Sequence, residues 1–331
     1  MAAVCSEIIE IVLRHLRNSL DLIACSVVSQ GWYSAYQNAR ISCLDLSIPS
    51  RQLARTLRDK HLCGLVLWMQ AQQARGNFCR LTALTIACNG YPEDSSEHYF
   101  FSGAVLMLAG TWPLQELDIV GSFDFDMALR LLPASVKHLR LLPLASCLPK
   151  IVHLASFSKF TALQTLTVHP DGEDLPFEPG NCFVLGGALA NLTSMTLSNW
   201  PFLLKDGCNI STCLPHLERI SVHLDVDLVN AFTSSDQFKV LFLVLDDPSP
   251  LPQEHSVSIV VERTSKLKKL VLCAQVGNAL LTVIDLQVRK PGVELLCCDV
   301  ILNHIGVAPP NRDNRDNYNN HRFVELDWFA A

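Results

Sequence analysis

The residues of this 331-residue chain best suited to chemistry are its 13 cysteines, its 11 histidines and a few clustered acids. A zinc site needs thiolates or imidazoles at short fixed spacing. Here the cysteines are scattered (Cys43, Cys63, Cys79, Cys88, Cys147, Cys182), no CxxC pair occurs, and an odd count cannot pair completely into disulfides. They read as small buried hydrophobes in a reducing compartment, as does the vicinal pair Cys297-Cys298 in its apolar, strand-like surroundings. His169, Asp171 and Asp174 in HPDGED offer an imidazole and two carboxylates, but they follow a strand-like unit and read as a turn. PPNRDNRDNYNN (309–320) has oxygen donors without the alternating acids, central Gly and closing Glu of a calcium loop. No GxxxxGK[ST], HExxH or GxSxG sequence occurs, and the Asp and Glu residues are dispersed rather than paired in a recognisable acid–base arrangement. The expectation is a non-catalytic binding subunit with no catalytic residue, no metal and no cofactor.

The elements that carry these residues follow a recurrent unit, apolar-x-x-apolar-x-apolar. It reads LTALTI at 81, LQELDI at 114, VKHLRL at 136, LQTLTV at 163, LTSMTL at 192, LERISV at 217, FKVLFL at 238 and LKKLVL at 267, with a weaker VELLCC at 293. Asn89, Asp171, Asp225 and Asp246 fall eight residues after a unit's first position, where a side-chain oxygen or amide can satisfy the turn out of a strand. Between units lie helix-like pieces at 102–112, 127–133 and 276–290. Unit, turn and helix in this order resemble leucine-rich repeats, and that resemblance implies an α/β solenoid, a horseshoe of stacked units sharing one core.

Side chains alternate along a strand, so the residues between the apolar positions line the exposed concave face. These are Glu116 and Asp118, His138 and Arg140, Thr165 and Thr167, Ser194 and Thr196, Arg219 and Ser221, Val240 and Phe242, and Lys269 and Val271. They are the candidate target-binding set, against the plainer reading of a solvated sheet surface. Val240, Phe242 and Val244 put three apolar residues outward in one strand, which calls for a ligand or a covering segment. A small-molecule-gated receptor is a further reading, but this face lacks the basic cluster a phosphorylated cofactor would need.

Near the start, SEIIEIVLRHL places Ile8, Ile9, Val12, Leu13 and Leu16 at helical spacing, and DLIACSVVSQGW follows with Leu22, Val28 and Trp32. Three short helices in about 35 residues cannot close a dry core alone. The run D-L-x-x-C-S-x-V-S-x-x-W resembles an F-box, with Val4-Cys5 in place of the family's opening Leu-Pro. The resemblance implies a three-helix hairpin over 4–40 whose residues Ile8, Ile9, Val12, Leu16, Leu22, Val28 and Trp32 dock on the Skp-type adaptor of a cullin-RING ubiquitin ligase. Repeats over 41–308 would then hold an unknown protein substrate, with a polar loop at 309–320 and a cap at 321–331. The alternative is a leucine-rich-repeat scaffold in a cytoskeletal or ciliary assembly, its first helices only a cap. Net charge, 26 − 32 = −6, with no long basic block argues against nucleic acid. The apolar run 100–112 is too short and soft to span a bilayer. With Glu7 and Glu10 interrupting the first apolar stretch, the expected location is the cytoplasm, or the nucleus.

Overall fold

The computed structural model describes residues 42–48, 55–88, 103–170, 181–225, 228, 232, 235–246, 255–261, 266–274, 282–288, 292–298 and 301–304. All eight full units fold as strands from their third residue, because the fourth and sixth residues then point to one side of the extended segment while the first packs from the turn just before it. In every one of them the first, fourth and sixth residues, from Leu81, Leu84 and Ile86 to Leu267, Leu270 and Leu272, are no more than 2% exposed. At about 1.5–3 kcal/mol per large side chain, this shared burial is the main term holding the sheet. A one-residue slip would turn each set to the opposite face.

The strands are β1 (Cys43–Ile48), β2 (Ala83–Cys88), β3 (Glu116–Gly121), β4 (His138–Pro143), β5 (Ile151–His153), β6 (Thr165–Val168), β7 (Cys182–Leu185), β8 (Ser194–Leu204), β9 (Arg219–Asp225), β10 (Val240–Asp246), β11 (His255–Val261), β12 (Lys269–Ala274), β13 (Thr282–Val288), β14 (Glu294–Cys298) and β15 (Ile301–His304). Twelve of them form one parallel sheet in the order β1-β2-β3-β4-β6-β8-β9-β10-β12-β14, with β5 paired to β7 and β7 to β8 off this path. A separate sheet orders β11-β13-β15. Register is fixed at the strand entries by a recurring device. The carbonyl just before one strand accepts two successive N–H groups at the start of the next, from Ser42 O receiving Thr82 and Ala83 to Lys239 O receiving Lys268 and Lys269.

The connections are unlike one another. Helix α1 (Arg55–Ala74), a helix over 103–109 (α2), α3 (Phe125–Leu131) and the single turn α4 (Ile210–Cys213) make some of them. Others are 3-10 turns at Ala145–Cys147 and Leu154–Phe157 or additional strands. Asp124 caps α3 through Met127 N at 2.7 Å, and Pro133 follows its C-cap. Behind the sheet, aromatic edges join neighbouring layers, as in Phe78–Trp112 at 4.9 Å and Phe202–Phe232 at 5.8 Å.

This architecture corrects the expected α/β solenoid. The chain forms a parallel α/β sheet with crossover connections whose path steps over β5, β7, β11 and β13, and not a leucine-rich-repeat horseshoe built from a repeated strand, turn and helix. The reason lies in the connections. The expected helix at 276–290 contains β13, because Thr282, Val283, Ile284 and Val288 crowd a helix and suit a strand. The hairpin at 4–40, the loop at 309–320 and the cap at 321–331 lie outside the described residues.

Candidate functional site

Parallel pairing arranges the exposed side chains in rows across the strands. One row runs Cys43, Ala83, Glu116, His138, Thr165, Ser194, Arg219, Val240, Lys269 and Glu294. The next runs Asp45, Thr85, Asp118, Arg140, Thr167, Thr196, Ser221, Phe242 and Val271. Alternating exposure along β3, β4 and β6 confirms that these rows lie on the side away from the packed leucines. The register therefore brings together the residues from Glu116 to Lys269 that the sequence marks as a face.

Within the rows the polar groups pair with neighbours. Arg140 Nη1 donates to Asp118 Oδ2 at 2.9 Å, in a half-buried ion pair. His138 Nδ1 and Thr165 Oγ1 share a hydrogen bond of 2.9 Å. The centre of the face is a patch of hydroxyls, with Thr165, Thr167, Ser194, Thr196 and Ser221 all half-buried. The expected outward apolar trio is only partly open. Phe242 and Val240 are half-buried, whereas Val244 and Val271 are 7% and 2% exposed.

At the entry to β9, β10 and β12, sequence reasoning named Arg219 and Lys269 but missed Lys239, Lys266 and Lys268. Lys239 Nζ bonds Glu218 Oε1 at 2.6 Å. That hydrogen bond holds the Glu218 carboxyl below its ordinary range; burial opposes it, and the positive charges of Lys239, Arg219 and Lys266 each add a smaller lowering. Lys266 and Lys268 are exposed and Lys269 is half-buried beside them. The available signal was SKLKKL at 265–270, a short basic run leading into β12.

The other candidates do not assemble. His169 follows β6, while Asp171 and Asp174 lie outside the described residues, as do Asn89 and the proposed adaptor-docking set Ile8, Ile9, Val12, Leu16, Leu22, Val28 and Trp32. Cys297 and Cys298 sit in β14, in register with Leu272 and Cys273. The Cys208 thiol is pushed up by burial and by its hydrogen bond to Cys213, and Cys182 by burial, so both favour the protonated form over a metal-ligating thiolate. Among the described residues no group of three or more His, Cys, Asp or Glu could hold a metal ion. None of their helices is long and apolar enough to cross a membrane.

The ligase and scaffold readings are both corrected by the fold. Docking to a Skp-type adaptor and a cullin-RING ligase rested on an F-box joined to a leucine-rich-repeat horseshoe, and the parallel sheet with unlike crossovers removes that identity. No protein-family model matches the chain, and no curated protein matches it significantly.

Proposed function

We propose that the chain is a non-catalytic binding protein that recognises another protein through the polar face of its twelve-stranded sheet. The observation that carries this reading is the register itself. It lays hydroxyls and paired charges from successive strands side by side, at about 4.8 Å per strand, on a surface backed by a fully packed core. Such a surface positions donors and acceptors without spending conformational entropy on binding, because each side chain stands on a strand that cannot move alone. No nucleophile or acid–base pair is needed for this role. Thr167 and Thr196 are in register at the middle of the face. Replacing both with Arg should abolish capture of the partner that wild-type protein retains, while Asp126→Lys on α3 leaves it intact. Equal capture by the Thr167→Arg/Thr196→Arg variant, with an unchanged melting temperature, would refute the reading.

A further inference from the structure

We propose that the entry corner of β9, β10 and β12 docks a carboxylate-rich segment of a protein partner. This deepens the proposed binding role and rests on it. Five cations, Arg219, Lys239, Lys266, Lys268 and Lys269, gather there on strand starts that are neighbours in register. Two carboxylates accompany them. Glu218 bonds Lys239 at 2.6 Å, and Glu294 lies in register beside Lys269. Among these seven described residues the balance is 5 − 2 = +3, in a chain whose net charge is −6.

The backbone makes the gathering obligatory. Glu218 O accepts from Lys239 N and Val240 N, and Lys239 O accepts from Lys268 N and Lys269 N, so the three chain segments cannot slide apart without breaking the sheet. Glu218 lies within this group, its carboxyl held low first by the hydrogen bond from Lys239 and further by the charges of Lys239, Arg219 and Lys266. From β9 to β12 is about 10 Å, the reach of roughly three extended residues, so two or three acids of one extended segment can face these cations at once. Concentrated positive field on an acidic molecule also speeds encounter with an oppositely charged partner. A nucleic-acid strand fits less well. It needs aromatic platforms between the cations, and the only aromatic on these strand rows among the described residues is the half-buried Phe242.

The test uses the full chain and a fluorescein-labelled glutamate-rich peptide, read by fluorescence anisotropy at low and high salt, with a labelled single-stranded oligonucleotide of equal charge in parallel. The peptide should bind wild type with an affinity that falls as salt rises. Lys239→Glu/Lys268→Glu should weaken it at least about tenfold. Asp126→Asn on α3 should bind as wild type, since α3 joins β3 to β4, away from β9, β10 and β12. Absence of peptide binding, equal binding by the charge-reversed variant, or tighter binding of the oligonucleotide would each overturn the proposal. Circular dichroism melts of both variants separate these results from misfolding. Failure at the corner with partner capture still sensitive to Thr167→Arg/Thr196→Arg removes this inference alone. Peptide binding with capture insensitive to that variant removes the face reading alone.

Discussion

The face across β3, β4 and β6 and the corner at β9, β10 and β12 share one backbone scheme yet differ in what they do with charge. On the first, Asp118 meets Arg140 and His138 meets Thr165, so acids and bases are consumed by neighbours in adjacent strands. On the second, Lys239 meets Glu218 while Lys266 and Lys268 stand exposed to solvent. Identical double hydrogen bonds at the strand entries position both regions. A parallel sheet therefore decides which side chains are neighbours, and the identities at those positions decide whether the result is a neutral mosaic or a field.

The largest effect should come from the layer common to both regions. Leu166→Ala, in a side chain 1% exposed, should cost about 2–5 kcal/mol in chemical denaturation. If tryptophan fluorescence and circular dichroism report one transition, the two regions are one cooperative sheet, and two separated transitions would break the comparison. Next comes the support for α3 behind the face. Lys159 Nζ donates to Arg130 O and Leu132 O, each at 2.9 Å, and lies 4.8 Å from the Phe160 ring centroid. Lys159→Met should lower stability by about 1–3 kcal/mol, with the charged hydrogen bonds the main loss. Burial lowers the Lys159 pKa in the folded chain, so the folded state releases this proton at lower pH than the unfolded one. The desolvation penalty therefore holds at neutral pH and is relieved as pH rises through the lowered folded pKa towards the ordinary lysine value.

Smaller effects sharpen the electrostatic contrast. A double-mutant cycle on Asp118 and Arg140, with side chains 26% and 34% exposed, should give a coupling of about 0.5–1 kcal/mol. The cycle on Glu218 and Lys239, at 43% and 40%, should give less, because solvent screens the pair more. Smallest of all, Glu218→Gln should tighten the acidic peptide by about two- to threefold in anisotropy, since it removes the internal competitor for Lys239. The Glu218 carboxyl is depressed in the folded chain. Its pairing is thus complete above the ordinary glutamate range and is lost as pH falls through the lowered folded pKa. Titration of the Glu218 carboxyl by NMR at its ordinary range would contradict that geometry.

The strands were legible because burial repeats at fixed positions: Leu114, Leu117 and Ile119 announce β3, and Phe238, Leu241 and Leu243 announce β10. The connections were not legible. The segment at 276–290 has an apolar spacing that a helix could also bury, and only pairing of β13 with β11 and β15 decides for a strand. The face residues could be named, since alternation alone selects Glu116, Asp118, His138 and Arg140. Which of them pair could not be read, because the Asp118–Arg140 contact spans 22 positions and depends on register. The basic corner was legible only in pieces, as SKLKKL and the face residues Arg219 and Lys269, for the same reason. Arg219, Lys239 and Lys268 are far apart in the chain and meet only across hydrogen-bonded strands.

The most direct test of a register-built binding surface is hydrogen–deuterium exchange of the full chain with and without the glutamate-rich peptide, read by mass spectrometry. Slowed exchange should appear in segments 218–221, 239–242 and 266–271, with 125–131 on α3 unchanged. Protection on α3, or spread evenly along the chain, would contradict the account.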